Sequence, residues 1–249
     1  MGYFNLIKLS ATTSTNDYLK QRRLEGKCND GDLVWTTHQT AGRGQSDKVW
    51  ESEAGNSLSV SIYRAFGEYS PELPFSISSA FATAIVSALK LLSVPELNIK
   101  WPNDILSCNK KIGGILIENT FKNNKLTNSI LGFGLNVNQL DFSKFPHAAS
   151  LYSLTKKKWN IENVLEALIH SLEHNEFLNL TKHQDANLDA FNSFLWRKGK
   201  PSKFKGIEGV FEAIPLEVTK RGGLVISGFE NEKKKELVLA DARMIYTHK

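Results

Sequence analysis

Apolar positions along the chain follow two periods. Leu58, Val60 and Ile62 alternate with serines at 57, 59 and 61, the period-two pattern of a strand with one buried face. Short β-rich runs at 32–37, 97–101, 112–118 and 129–137 predict further strands. Between 75 and 94 the period lengthens: Ile77, Phe81, Ala84, Ile85, Ala88, Leu89 and Leu92 recur at helical spacing, with Ser70 and Pro71 placed as cap and first turn. A second amphipathic helix is expected from Asn160, with Ile161, Val164, Leu165, Leu168, Ile169 and Leu172 on one side. A shorter one is expected at 17–24. Helices with one apolar face against short strands predict an α+β fold, a mixed sheet backed by helices.

The pattern changes after Trp196. Arg197, Lys198, Gly199, Lys200, Pro201, Ser202 and Lys203 form a basic, helix-breaking stretch that reads as a linker. Beyond it, β-type runs at 209–218, 223–229 and 236–240 are separated by Arg221-Gly222-Gly223 and by a charged turn at 230–235. Some fifty residues of hairpins imply a small β-barrel. The expected division is therefore 1–199 and 200–249.

Composition narrows the class of protein. The 249 residues are 41% hydrophobic, 23% charged and 10% aromatic, which excludes a disordered chain or a coiled coil. Lys and Arg exceed Asp and Glu by 31 to 26, an excess suited to an anionic small molecule or an acidic partner and too small for a dedicated nucleic-acid binder. Cys28 and Cys108 cannot make a disulfide framework, so a cytoplasmic location is expected. Lys8 arrives too early for a secretory signal, and the serines and Lys90 within 75–94 point to a core helix, with no membrane partner.

Four segments carry the candidate chemistry. Gly42-Arg43-Gly44, after Gln39-Thr40 and before Trp50, lets backbone amides approach an anion beside a fixed guanidinium; a plain structural turn remains open. It is neither a dinucleotide fingerprint nor a P-loop. Lys100-Trp101-Pro102-Asn103-Asp104 precedes a reversal at 108–110 that brings Lys111 back toward Asp104, with Gly113-Gly114 leaving room for a ligand; a surface salt bridge is the alternative. Gly132-x-Gly134-x-Asn136 puts glycines in a strand, where they pack poorly unless something lies close. Ser14-Thr15-Asn16 offers neutral hydrogen-bonding groups, and a helix cap explains it equally well.

Taken together, these motifs resemble the biotin protein ligase family, the biotin–acetyl-CoA-carboxylase ligases. The resemblance covers residues 14–137 most specifically, and less specifically a C-terminal SH3-like barrel. It implies a catalytic domain related to class II aminoacyl-tRNA synthetases that joins biotin to ATP as biotinoyl-5'-AMP. The biotin then passes to a lysine of a biotin carboxyl carrier protein. On the same ground Arg43, Lys111 and Asp104 are the expected catalytic residues. Ser14, Thr15, Asn16, Gln39, Gly42, Arg43, Gly44, Gln45, Lys111 and Gly114 would bind biotin. Arg43, Trp50, Lys100, Asn103, Lys111 and Asn136 would bind ATP, and Asp104 would help place Mg2+ or the incoming amine. Arg243 could reach the nucleotide from the barrel. A lipoate–protein ligase is the nearest enzyme alternative, and a homodimer is left open. Gln45 stands where many members carry a second arginine and Asp47 where a small residue is usual. The motifs begin at residue 14 with no helix-turn-helix ahead of them, so neither DNA binding nor repression is expected. His170 and His174 share a helix face without a third ligand, and the lysines at 156–158 and 233–235 read as solvated charge.

Overall fold

A computed structural model describes residues 2–45, 48–67, 74–174, 177, 184–228 and 233–246. In chain order these form β1 (Asn5–Lys8), α1 (Thr15–Leu24), β2 (Asp32–Thr36), β3 (Gly42–Arg43), β4 (Val49–Trp50), β5 (Ser57–Ala65), α2 (Phe75–Leu91), β6 (Leu97–Lys100), β7 (Asp104–Ser107), β8 (Lys110–Lys122), β9 (Lys125–Asn136), α3 (Leu151–Thr155), α4 (Ile161–His174) and α5 (Gln184–Ser193). Five shorter strands follow: β10 (Ser202–Gly206), β11 (Val210–Val218), β12 (Leu224–Ser227), β13 (Lys234–Leu237) and β14 (Ala242–Met244).

The main sheet runs β1-β2-β5-β9-β8-β7-β6. β1 and β2 are parallel and the remaining ladders antiparallel, so the sheet is mixed. Its hairpins turn on asparagine. Cys108 and Asn109 (φ 48° and 60°) join β7 to β8, and Asn123 and Asn124 (φ 51° and 60°) join β8 to β9. Two consecutive positive φ values match the twist of antiparallel strands.

The alternation read in β5 sorts the two faces. Leu58, Val60 and Ile62, with Leu33, Leu131 and Phe133, share one core with Ile77, Phe81 and Ile85 of α2, Val164, Leu165 and Leu168 of α4, and Phe191 of α5. Each such side chain, fully buried, contributes about 1.5–3 kcal/mol. The other face carries a small apolar cluster of Leu19, Val34, Tyr63 and Ile130 beneath α1, and beyond it the buried serines 57, 59 and 61.

The C-terminal strands form an antiparallel sheet in the order β13-β12-β11-β10-β14. Its apolar side is continuous with the main core through Phe204, Val218, Leu224 and Met244. The side chain of Asn192 donates to Val218 O (3.0 Å) and accepts from Val218 N (2.7 Å), pinning α5 to β11. Trp101 Nε1 donates to Gly222 O at 2.9 Å. The basic stretch expected to be a linker is a compact turn, with Arg197 and Gly199 at positive φ and Gly199 N bonded to Pro215 O.

Several expectations shift. The Ser70-Pro71 cap lies outside the described residues, and α2 starts after Pro74, which occupies the N-cap position without a side-chain cap bond. The strand expected at 236–240 is β13, Lys234–Leu237, because Val238 and Asp241 close a turn there (Val238 N to Asp241 Oδ2, 2.8 Å). β8 extends well beyond 112–118 in both directions. β1, β3, β4, β10, α3, α5 and β14 were not anticipated. Removing the ring of Phe81, which is fully buried and 5.6 Å from the Phe177 ring, is expected to cost about 3–5 kcal/mol in a Phe81→Ala variant. A urea unfolding curve checks this.

Candidate active site

Cross-strand register sets the floor of the site. Thr36, Ser59, Gly134, Gly114, Asp104 and Lys100 are successive opposed positions across β2, β5, β9, β8, β7 and β6, and opposed positions share a face. The adjacent row is Val34, Ser61, Gly132 and Leu116. A cavity of about 640 Å³ opens over these rows. Side chains from α1, from the β3–β4 ribbon and from β14 line its walls.

One end is neutral. Ser14 caps α1, its Oγ accepting from Asp17 N at 3.3 Å, and it also lines the cavity, so cap and wall are one residue. Thr15 N and Thr15 Oγ1 donate to Gln39 Oε1 at 2.9 and 3.2 Å. Ser61 Oγ donates to Asn16 Oδ1 at 2.6 Å and lies 2.7 Å from Thr15 Oγ1. Asn16 Nδ2 donates to Glu118 Oε2 at 3.0 Å. Asn16 can lie this close to β9 because residue 132 is glycine: a Cβ there would collide with Asn16 Oδ1.

The glycine loop forms the ribbon β3–β4, with Gly42 opposite Trp50 and Arg43 opposite Val49. Gly44 N donates to Lys48 O at 2.6 Å. Arg43 pairs with Asp17 and donates through a second nitrogen to Glu118 Oε1 at 3.0 Å. Partial burial works against its charge, but the two carboxylates outweigh it and hold the guanidinium pKa above the usual arginine value. Trp50 lies across the glycines of the central strands. A Cβ on Gly134 would come within 2.6 Å of Trp50 Nε1, and one on Gly114 within 3.4 Å of Trp50 Cζ3. Trp50 Nε1 is buried and has no hydrogen-bond partner among the described residues.

The other end is ionic. The Cys108-Asn109 turn returns β8 alongside β7, so Lys111 Nζ meets Asp104 Oδ1 at 2.6 Å. Asp104 Oδ2 faces Lys100 Nζ at 3.4 Å and accepts from Tyr246 Oη at 2.8 Å. Burial alone would raise the Asp104 pKa; the two ammonium charges and the phenol donor outweigh burial and hold it below the ordinary carboxylate range. Lys100 moves down instead, because the loss of water exceeds what Asp104 returns. Burial and the Asp104 charge push the Tyr246 phenol far above its usual range, so it remains a donor.

Of the residues singled out in the sequence, Ser14, Thr15, Asn16, Gln39, Arg43, Gly44, Gln45, Trp50, Lys100, Asn103, Asp104, Lys111, Gly114 and Arg243 line this one cavity. Gly42 lies behind it, packed against Gln39 Nε2. Asn136 is buried away from it, its amide donating to Ala149 O at 3.1 Å. Asn103 spends its amide on Ile115 O at 2.7 Å. Asp47 lies outside the described residues. Asp104 does not fit a magnesium ligand here: both oxygens face ammonium or phenol donors, and no group of three His, Cys, Asp or Glu gathers among the described residues. His170 and His174 stack on each other at 4.1 Å, and among the described residues they belong to no group of three that could hold a metal. Sequence reasoning missed Ser61, Glu118 and Tyr246. The polar side of β5 pointed to the first; nothing local marks the other two.

The model of the biotin/lipoate A/B protein ligase family matches residues 9–136, just over half of the chain. The chain belongs to this family. Every residue of the cavity's neutral end and of its glycine loop falls within the family match, whereas Arg243 and Tyr246 lie beyond it. Over 231 residues the chain is 28% identical to the bifunctional ligase/repressor BirA of Bacillus subtilis, covering 86% of this chain and 66% of that protein. It is 32% identical over 177 residues to the biotin–[acetyl-CoA-carboxylase] ligase of Mycobacterium tuberculosis, covering 69% and 64%. The chain thus spans about two thirds of the length of these curated relatives. The biotin protein ligase of Aquifex aeolicus, solved with biotin and ATP, superposes with a TM-score of 0.80 at 26% identity, covering 98% of this chain and 99% of that one. The fold is therefore biotin ligase-like. No helix of the described residues is long and apolar enough to cross a membrane.

A Glu118→Gln variant keeps an oxygen for Asn16 but withdraws one of the two negative charges on Arg43. Hydrogen exchange at the amides of residues 42–44 is expected to quicken severalfold, since a partly exposed pair is worth up to about 1 kcal/mol; exchange mass spectrometry reads it.

Proposed function

We propose that this chain is an ATP-dependent biotin protein ligase. A carboxylate oxygen of biotin attacks the α-phosphorus of ATP, the bond to the β-phosphate breaks, and biotinoyl-5'-AMP and pyrophosphate form. An ε-amine of a biotin carboxyl carrier protein then attacks the acyl carbon, AMP leaves, and the amine's proton is lost. The observation that carries this reading is the division of one cavity into a neutral hydrogen-bonding end and a cationic end. The Aquifex ligase, which matches along almost its whole length, was solved with both of these substrates.

The head of biotin is neutral, with two N–H donors and one carbonyl, and suits Ser14, Thr15, Asn16 and Gln39, with Gly42, Gly44, Gln45 and Gly114 shaping the tail's path. Its carboxylate then points toward Lys111. Arg43 leaves Asp17 and Glu118 as the glycine loop folds over the mixed anhydride and excludes water from it. Trp50, Lys100 and Asn103 are assigned to the nucleotide side, and Asn136 supports that side from behind through its bond to Ala149 O. Phosphoryl transfer asks the protein mainly to position groups and neutralise developing charge, which is work for ammonium and guanidinium groups. Asp104 does not ligate a metal in this arrangement, and no step is assigned to magnesium. The catalytic domain is taken as 1–199, and the C-terminal sheet, 200–249, as an SH3-like barrel.

The test is to incubate the chain with ATP, magnesium, a purified carrier domain and either biotin or lipoate, and to weigh the carrier. A biotin adduct is expected; a lipoate adduct alone would replace this reading with the lipoate one. Lys111→Ala should lower biotin-dependent pyrophosphate release by about 10²–10³-fold. Arg43→Ala should release free biotinoyl-5'-AMP into solution, which chromatography detects.

A further inference from the structure

Tyr246 enters the ionic end of the cavity from the opposite end of the chain, two residues after β14. Its backbone is held by the neighbouring Ile245 N, which donates to Lys203 O at 2.8 Å. The ring stacks on His147 at 4.9 Å with an interplanar angle of 11° and lies 5.8 Å from the ring of Trp196. A phenol so clamped can orient whatever it touches. We propose that Tyr246 is a positioning residue of the ligase reaction, holding Asp104 and Lys100 so that Lys111 keeps its ammonium directed into the cavity. This inference rests on the ligase reading above and assigns to the C-terminal sheet a working part of the site.

The geometry divides the residue into two functions. The hydroxyl is the nearer of the two donors to Asp104 Oδ2, at 2.8 Å against 3.4 Å for Lys100, and leaves Oδ1 to Lys111 at 2.6 Å. The ring face lies 4.5 Å from Lys100 Nζ, whose side chain is only 8% exposed. A buried ammonium needs such partners, and an aromatic face supplies one without adding charge. A phenol therefore steadies the carboxylate as a third cation would, while two ammonium groups against one carboxylate still leave a net positive end for an anionic ligand. Lys48, on the glycine loop, adds to that positive field.

The test compares Tyr246→Phe, which keeps the ring, with Tyr246→Leu, which keeps neither function. Tyr246→Phe is expected to lower kcat of biotin-dependent pyrophosphate release by about 10-fold, with the KM for biotin and the melting temperature unchanged, because a displaced group loses rate before it loses binding. Tyr246→Leu should lose more. Independently of activity, brief acetylation with residue-resolved mass spectrometry should label Lys111 and Lys100 severalfold faster in Tyr246→Phe, relative to the exposed Lys203. Wild-type labelling of both lysines in Tyr246→Phe overturns the proposal, as do rate losses that merely follow the melting temperature. If wild type shows no turnover with biotin, the ligase reading falls and this role in the reaction falls with it, whereas turnover in wild type with unchanged labelling in Tyr246→Phe overturns the positioning role alone.

Discussion

Gly114, Gly132 and Gly134 leave the backbone of β8 and β9 bare at the centre of the sheet, and Asn16 and Trp50 occupy the space that side chains would fill. Strand interiors ordinarily avoid glycine, because it adds entropy to the unfolded chain and packs nothing. Here the loss is offset by what the bare strip admits. α1 lays its first turn on the sheet, bringing Ser14, Thr15 and Asn16 to one side of the cavity, and the β3–β4 ribbon lays Trp50 across the other. A methyl group at 132 or 134 would lift one of these elements and open the floor.

Polar groups on that floor are arranged by charge. Toward α1 the donors and acceptors are hydroxyls and amides, closed into a chain by Ser61. Toward β6 and β7 they are ammonium groups around a single carboxylate. Such a gradient would orient any ligand with a neutral head and an anionic tail, because reversing it would bury the tail's charge against groups that cannot neutralise it. Arg43 is held on the α1 side, bound to carboxylates of α1 and β8. In this position its charge is satisfied within the protein.

The parts of the molecule that were legible in the sequence are those governed by short-range pattern. α2 and α4 follow their apolar spacing, β5 its alternation with serine, and the β7–β8 hairpin its Cys108-Asn109 reversal. The motif residues converge because their order along the strands matches the register of the sheet. Long-range partners were not legible. Glu118 is one polar residue on a long strand, and only its position opposite α1 brings Asn16 and Arg43 to it. Tyr246 is 142 residues from the carboxylate it meets. α5 was hidden by composition: two of the three residues it buries, Asn187 and Asn192, are polar, and Asn192 hydrogen-bonds across to β11. Asn136 was misleading in the other direction, since its motif position suggested a ligand contact and its amide instead ties β9 to Ala149.

The indole N–H of Trp50 was stripped of water when the chain folded, and nothing among the described residues accepts it. The nitrogen rests on the bare backbone at Gly134, so the indole is seated flush on the strand by shape and not by a hydrogen bond of its own.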